Sequence, residues 1–182
     1  GDGTMKKTRI VNFFGSPGTG KTTMAAETFA EMKKRGLSCE LVTEFAKMAV
    51  WENRVDAMKN EIYLFSKKHH SVQVLNGKVD YIIIDSPLLM TVVYNNRYSK
   101  VEWLNELALS EHKKLDNFNV FLKRRYGLYE KEGRIHMEEE SREIERDLDV
   151  LYKKLLNDEE IVMKEFVEDI KVEYLVERIE RL

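Results

Sequence analysis

Apolar and polar residues alternate in blocks along the chain, with short branched or aromatic runs between longer amphipathic ones. The short runs predict five strands, at 9–14, 39–43, 81–85, 119–123 and 161–167. The longer runs space their apolar residues like one face of a helix and predict helices at 21–35, 57–75, 101–115 and 141–156, with one more at the C-terminus. Strands that alternate with helices indicate an α/β fold, in which helices cover both faces of a parallel sheet.

Length and composition fit one domain. The chain has 182 residues, 43% of them hydrophobic, and no apolar run reaches the roughly 18 residues of a membrane span. We expect a cloning remnant at 1–4, a single domain at 5–182, no membrane partner, and a location in the cytoplasm. Cys39 is the only cysteine, which excludes an internal disulfide and predicts a small buried side chain. With 30 basic and 32 acidic residues, the net charge of -2 does not favour a nucleic-acid partner overall.

A glycine-rich segment between the first strand and the first helix carries the clearest chemistry. Its residues follow the P-loop pattern in order: Gly15, Ser16, Pro17, Gly18, Thr19, Gly20, Lys21 and Thr22. Glycines let the backbone amides point inward, and the helix N-terminus adds a partial positive charge, so the segment suits the phosphates of a nucleotide such as ATP. Lys21 is placed to reach the outer phosphates, and Thr22 to offer a neutral oxygen to Mg²⁺. Thr23 completes the nucleotide-binding set, with its side chain expected on the helix surface.

Two carboxylates follow strands at the edge of the sheet where ligands bind in open α/β folds. Asp85 ends the third strand and is placed to hold Mg²⁺ through water, as the Walker B aspartate does in P-loop enzymes. The alternative for Asp85 is a helix N-cap, because Ser86 and Pro87 follow it. Glu44 follows the second strand, near the expected position of an acceptor hydroxyl, and is a candidate general base. Its alternative is a solvated carboxylate at a helix start.

A basic segment follows the fourth strand in a chain that is slightly acidic overall. Phosphoryl transfer places charge on the equatorial oxygens of the moving group, and guanidinium groups that close over it stabilise that charge. We therefore predict a lid at about 124–141, with Arg125 and Arg134 as the catalytic arginines and Arg124 next. The alternative is a solvated charged loop. The acidic run at 138–142 is interpreted as the first turn of a helix rather than as a metal site.

Histidines and aromatic residues are weaker candidates for a site. His69 and His70 are adjacent, so they cannot share a helix face around one metal ion, and His112 and His136 have no ligand partners at a recognisable spacing. Three aromatic residues are interpreted as core, with stacking on a nucleobase as the alternative: Trp51, Tyr63 and Phe65.

Several pieces of the sequence together resemble the NadR-like group of P-loop kinases, which includes ribosylnicotinamide kinases and the bacteriophage 5-hydroxymethyluracil DNA kinases. These pieces are "NFFGSPGTGKTT", "LVTEFAKMAVW", "DYIIIDSPLL", "RRYGLYEKEGR" and "EEESREIERDL", within about 10–156. The resemblance implies a sheet order 2-3-1-4-5, with Glu44 and Asp85 near the acceptor hydroxyl. The "TEFAKMAVW" piece is also similar to the acceptor-side motif of deoxynucleoside kinases, which implies that Glu44 is the base. Because the first strand begins soon after Met5, we expect the kinase without the adenylyltransferase domain of NadR.

The sequence therefore predicts an ATP- and Mg²⁺-dependent kinase that phosphorylates a hydroxyl of a nucleoside-like acceptor. The narrower prediction is the hydroxymethyl group of 5-hydroxymethyluracil in phage DNA, which places the protein in the host cytoplasm. A DNA substrate needs a local basic channel, for which the lid and residues 67–70 are candidates. Two alternatives stay open: a kinase of free nicotinamide riboside or a deoxynucleoside, and a nucleotide switch or ATPase that binds a partner protein.

Overall fold

The computed structural model describes residues 6–43, 51–54, 56, 59–122, 135–156, 162–166 and 171–181, with backbone alone at 135–138, 156, 162–166 and 181. The strands in these ranges are β1 (Arg9–Phe14), β2 (Cys39–Val42), β3 (Tyr81–Ile84), β4 (Asp116–Leu122) and β5 (Val162–Phe166). The helices are α1 (Lys21–Lys34), α2 (Glu61–Leu75), α3 (Met90–Tyr94), α4 (Leu104–Lys113), α5 (Ile135–Leu156) and α6 (Val172–Arg181). A π-helical turn, π1 (Asn95–Ser99), follows α3 directly.

The strands form a parallel sheet in the order β2-β3-β1-β4-β5, which confirms the predicted order. β1 lies at its centre, where Ile10 is opposite Ile82 of β3 and Asn117 of β4. Parallel neighbours need crossover connections, usually helical, and this explains the alternation of strands and helices along the chain. The order brings the ends of β1, β3 and β4 together at the carboxyl edge of the sheet, where ligands bind in this class of fold.

Helices cover both faces of the sheet. Val11 and Phe13 of β1 pack with α1 and α6 on one face, and Ile10 packs with Val72 of α2 on the other. The stripe of α5 that packs against Phe14 of β1 repeats at helical spacing: Ile144, Leu148, Leu151 and Leu155. Each fully buried aliphatic side chain of this kind contributes roughly 1.5–3 kcal/mol. Cys39 is buried, as predicted, in the part of the core between the sheet and α1.

Three asparagines form a polar ladder inside this apolar core. The side-chain amide of Asn12 on β1 donates to the oxygens of Asn117 (3.0 Å) and Asn119 (2.8 Å) on β4. Asn117 in turn donates to the carbonyls of His112 (2.8 Å) and Leu115 (3.1 Å) at the end of α4. Because buried amides are costly without partners, these bonds tie β1 to β4 and β4 to the preceding helix.

Three helices depart from their predicted boundaries by two residues or more. α2 begins at Glu61 rather than 57, because the Asn60 side chain accepts a hydrogen bond from the Tyr63 amide (3.1 Å) and caps the helix. α4 covers Leu104–Lys113 rather than 101–115. α5 begins at Ile135 rather than 141, so the end of the predicted lid range is helical, as acidic residues near a helix N-terminus favour.

The segment between β3 and α4 contains two elements that the sequence did not predict, α3 and π1. Its β-branched and asparagine residues are weak helix formers, so tertiary contacts decide its conformation. β4 also begins earlier than predicted, at Asp116. The sequence pattern missed this start because Asn117 is polar, although it occupies a buried position of the strand. Within the described ranges, no helix is both long and apolar enough to cross a bilayer.

Candidate nucleotide-binding site

The loop from Gly15 to Gly20 turns the chain from the end of β1 into the start of α1. Gly18 and Gly20 have positive φ angles of 83° and 84°, a conformation that side-chain-bearing residues rarely adopt. Gly20 occupies the N-cap position, and as a glycine it offers no side-chain hydrogen bond to the first turn of α1. The amides of that turn and the helix dipole are therefore directed at the space in front of the loop, as anion binding requires.

Gly15 shows why the loop excludes a side chain. A Cβ atom at this position would lie 2.5 Å from Oγ1 of Thr19, closer than two such atoms can approach. The hydroxyl oxygens of Ser16 and Thr19 are buried, and neither has a hydrogen-bond partner within the described part of the chain. Buried hydroxyls without a protein partner fit a loop whose remaining partners are ligand oxygens.

Lys21, Thr22 and Asp85 form the chemical centre of the site. The Thr22 hydroxyl donates to Oδ2 of Asp85 (2.7 Å), and Nζ of Lys21 lies 4.0 Å from Oδ1 of the same carboxylate. Asp85 is 1% exposed and Lys21 is 8% exposed, so this contact lies largely out of solvent. The structure thus brings together three residues that the sequence predicts for the site. Thr23 is exposed on α1.

Asp85 directly follows β3, and it does not cap the next helix. α3 begins at Met90, with Leu89 at the N-cap position and no side-chain capping bond, so the N-cap alternative is wrong. The Asp85 amide instead donates to the Val42 carbonyl at the end of β2 (3.1 Å). This bond places the end of β2, two residues before Glu44, beside Asp85.

The oxygen atoms at this point fit a magnesium ion. Oγ1 of Thr22 and Oδ2 of Asp85 are hard ligands, of the kind that Mg²⁺ takes together with water and phosphate oxygens. Among the described residues, no group of three or more His, Cys, Asp or Glu side chains could hold a metal ion. A magnesium ion in this part of the chain would therefore depend on Thr22, Asp85 and the oxygens of a bound nucleotide.

Helix α2 packs beside the segment that follows Asp85. Lys68 is 6% exposed, and its ammonium group donates to the Pro87 carbonyl (3.4 Å). At the N-terminus of the helix, the Glu61 amide donates to Oγ of Ser99 (3.2 Å) and the Glu61 side chain is buried. Sequence reasoning missed Glu61 in this position. The signal was present, because a charged residue on the apolar face of an amphipathic helix is unusual without a specific partner.

The basic channel predicted at 67–70 is contradicted in part. Lys68 points into the protein rather than outward, and Nε2 of His69 lies 3.0 Å from Glu111 of α4. Lys67 and His70 are exposed. The four residues cannot form a continuous basic strip, because a helix turns successive side chains to different faces.

The three aromatic candidates separate in the structure. Trp51 is 83% exposed, so its interpretation as a core residue is wrong. Phe65 is buried with Leu88, as predicted for core. Tyr63 is half-buried, and the Lys67 ammonium lies 5.6 Å from its ring centroid.

The N-terminal part of α5 lies against both the P-loop and π1. Oγ of Ser141 donates to the Pro17 carbonyl (3.4 Å). Arg97 of π1 forms an ion pair with Glu143, and the Tyr98 hydroxyl donates to Glu140. Four predicted site residues lie outside the described residues and remain predictions: Glu44, Arg124, Arg125 and Arg134.

Comparisons with known proteins give a family match over most of the chain. The model of the AAA_28 family, described as AAA domain, matches residues 10–169. Protein RecA of Wolbachia sp. subsp. Drosophila simulans (strain wRi) is 31% identical over 99 residues, which are 50% of this chain and 28% of that protein. The chain thus spans less than a third of the length of this curated relative.

Solved structures share the fold over nearly the whole chain. Deoxyadenosine kinase from M. mycoides, solved with dCMP and a flexible dCDP, has a TM-score of 0.62 and 18% identity, and the match covers 94% of this chain and 97% of that one. The NadR protein in complex with NR has a TM-score of 0.65 and 16% identity, with 96% of this chain and 50% of that chain covered. At these identities the likeness is one of fold.

Proposed function

The chain belongs to the AAA_28 family of AAA domains, and we propose that it is a kinase that transfers the γ-phosphoryl group of ATP to a hydroxyl of a nucleoside-like acceptor. The contact of Thr22 and Lys21 with the carboxylate of Asp85 carries this proposal. In this proposal the cation, the hydroxyl and the carboxylate face the outer phosphates of a nucleotide bound in the P-loop.

Each residue of the site has a role that follows from its position. The amides of the P-loop and of the first turn of α1 bind the phosphates, and Lys21 neutralises charge on the outer ones. Thr22 and Asp85 would hold Mg²⁺, which would supply positive charge to offset the negative charge that develops on the phosphate oxygens. Ser16 and Thr19 carry two further buried hydroxyls in the same loop, which are candidates to bind phosphate oxygens. In this proposal Glu44 accepts the proton of the acceptor hydroxyl, and Arg125, Arg134 and Arg124 stabilise the transferred group.

A nucleoside-like acceptor is supported by the proteins that share the fold. One of them is a deoxyadenosine kinase that holds deoxycytidine nucleotides, and the other is NadR, which holds NR. Both cover this chain almost completely, and they share its fold. The narrower proposal, 5-hydroxymethyluracil in phage DNA, rests on the motif likeness at 41–51 and 80–89.

A free nucleoside is the second candidate acceptor, and the structure gives one observation in its favour. A DNA substrate needs a row of exposed cations that contact successive phosphates. Lys68 is buried against Pro87, and His69 contacts Glu111, so two of the residues expected for such a row already have partners within the protein.

Labelled phosphate transfer tests the proposal directly. The protein is incubated with γ-labelled ATP and Mg²⁺, and with hydroxymethyluracil-containing DNA, thymine DNA of the same sequence, nicotinamide riboside, deoxynucleosides, or no acceptor. Lys21→Ala serves as the inactive control, and Lys34→Ala, exposed on the same helix, as the matched one. Label on an acceptor, lost in Lys21→Ala and kept in Lys34→Ala, supports the kinase.

The same assay separates the alternatives. Label on hydroxymethyluracil DNA alone supports the narrower proposal, and label on free nucleosides alone overturns it. ATP hydrolysis that proceeds equally without any acceptor, with no transfer, overturns the kinase and supports a nucleotide switch or an ATPase that binds a partner protein.

A further inference from the structure

One short stretch of α5 makes three contacts with two different parts of the protein. Ser141 donates to the carbonyl of Pro17 in the P-loop, whereas Glu140 and Glu143 contact Tyr98 and Arg97 of π1. Residues three apart on a helix share a face, so Glu140 and Glu143 lie side by side toward π1. We call Glu140, Ser141 and Glu143 the α5 bridge, because they connect the nucleotide loop to the turn after β3.

The π1 turn that receives the bridge is held in place by its own bonds. Asn95 is 1% exposed, its side-chain amide donates to the carbonyl of Val101 (2.9 Å), and its side-chain oxygen accepts from the Val101 amide (2.9 Å). The rings of Tyr94 and Tyr98 stack with centroids 6.2 Å apart. Partial burial, together with the hydrogen bond to Glu140, raises the pKa of Tyr98 to about 12, so its hydroxyl stays protonated and donates.

The segment from Asp85 to Ser99 begins at the site and ends with π1, and we call it the wall. Its first residue, Asp85, contacts Thr22 through its carboxylate, and the carbonyl of Pro87 accepts a hydrogen bond from the Lys68 ammonium. It ends at Ser99, whose hydroxyl donates to the Lys59 carbonyl (2.7 Å) ahead of α2. A displacement of π1 relative to the P-loop would therefore move the wall of the site while the phosphate-binding amides stay where they are.

We propose that Arg97 and Tyr98 are positioning residues, which fix the wall from Asp85 to Ser99 against the nucleotide loop through the α5 bridge. This inference rests on the proposed function, because the wall matters only if an acceptor binds beside it. Arg97 contacts Glu143 of the α5 bridge, so in this inference it acts through the bridge on the distance between acceptor and phosphate. Small errors in that distance are costly, since a displacement of about 1 Å can slow a transfer by roughly 100-fold.

Charge reversal across the bridge tests the role of Arg97. Arg97→Glu and Glu143→Arg are each made alone and then together, with Glu139→Ala, exposed on the same helix, as the control. We expect each single variant to lower kcat/KM for the acceptor by about 10- to 100-fold, with ATP affinity by calorimetry within about twofold of wild type. The double variant is expected to recover most of the loss. Tyr98→Phe, which removes only the hydroxyl, is expected to raise the acceptor KM.

Two results would overturn the inference. One is acceptor kinetics that stay at wild-type values in both single charge variants. The other is a parallel loss of ATP affinity, acceptor kinetics and thermal stability that the double variant does not recover, which indicates a packing role alone.

Hydrogen exchange separates this inference from the proposed function. If the wild-type protein phosphorylates no acceptor, the proposed function fails, and the bridge is then judged from amide exchange at 95–99 with and without a non-hydrolysable ATP analogue. The bridge predicts that the analogue protects these amides in wild type and not in Arg97→Glu. Equal exchange in both proteins contradicts it.

Discussion

The hydrogen bond from Thr22 to Asp85 is open to a sharp test, because valine has nearly the shape of threonine and lacks its hydroxyl. In Thr22→Val, Oδ2 of Asp85 loses a donor at 2.7 Å while the carboxylate remains 1% exposed. Hydrogen bonds to charged groups contribute about 1.5–3 kcal/mol. We expect the free energy of unfolding to fall by that amount, with Tm lowered by about 2–4 °C for each kcal/mol.

The same substitution separates metal binding from folding. Thr22→Val removes one of the two oxygens that the site offers to Mg²⁺, so we expect a rise in the Mg²⁺ concentration that gives half-maximal transfer at saturating ATP. A tenfold rise corresponds to about 1.4 kcal/mol of lost binding. Thr22→Ser keeps the oxygen and is the matched control, expected close to wild type in urea unfolding and in the Mg²⁺ titration.

The effect of Thr22→Val on stability and its effect on magnesium binding can be refuted separately. A valine variant as stable as the serine variant means that the bond to Asp85 contributes nothing to the fold. A valine variant that is less stable, yet has an unchanged Mg²⁺ requirement, means that the Thr22 oxygen is not a magnesium ligand.

Four further outcomes are expected. Lys21→Ala should slow transfer by at least about 100-fold and weaken ATP binding in calorimetry, because the outer phosphates lose their cation. Glu44→Gln should slow transfer by about 100- to 10,000-fold with nucleotide affinity nearly intact, and unchanged turnover would remove Glu44 from the role of base. The hydrogen bond from Lys114 holds the pKa of Glu111 below its ordinary value of 4.5. The ionised Glu111 carboxylate therefore stabilises the fold above pH 4.5, and this stabilisation is lost as the pH falls through the lower pKa of the folded state. Glu111→Gln should thus lower the free energy of unfolding in urea by up to about 1 kcal/mol at pH 7 and leave it unchanged in strong acid. Burial raises the pKa of Cys39, so a thiol reagent should label it at neutral pH only after denaturation; rapid labelling of the folded protein would contradict the buried position.

Local signals were enough to predict the sheet and the nucleotide loop. Glycines that must adopt positive φ, a lysine and a hydroxyl residue stand consecutively in the sequence, so Gly20, Lys21 and Thr22 could be assigned without a three-dimensional structure. The apolar runs that mark the strands are equally local. The sheet order came from the family resemblance, and the hydrogen bonds between the strands confirm it.

Contacts between distant parts of the chain could not be predicted in this way. The sequence does not show that the Lys68 ammonium reaches Pro87, or that Arg97 meets Glu143 across 46 positions of the chain. The prediction that Trp51 is a core residue was wrong for a related reason, because an aromatic side chain is buried only where neighbouring elements cover it. Glu44 and the lid arginines keep the status of predictions, since they lie outside the described residues.

The asparagine ladder between β1 and β4 has a consequence for folding fidelity. Apolar side chains tolerate a sliding neighbour, whereas Asn12 finds its two oxygen partners only when β4 is aligned as observed. A slip of one residue would turn these amides toward the opposite layer and strand them in hydrocarbon. The ladder thus stabilises one alignment of β1 with β4 and disfavours misaligned strands that hydrophobic packing alone would accept. Because the P-loop directly follows β1, the same bonds help to fix the position at which that loop begins.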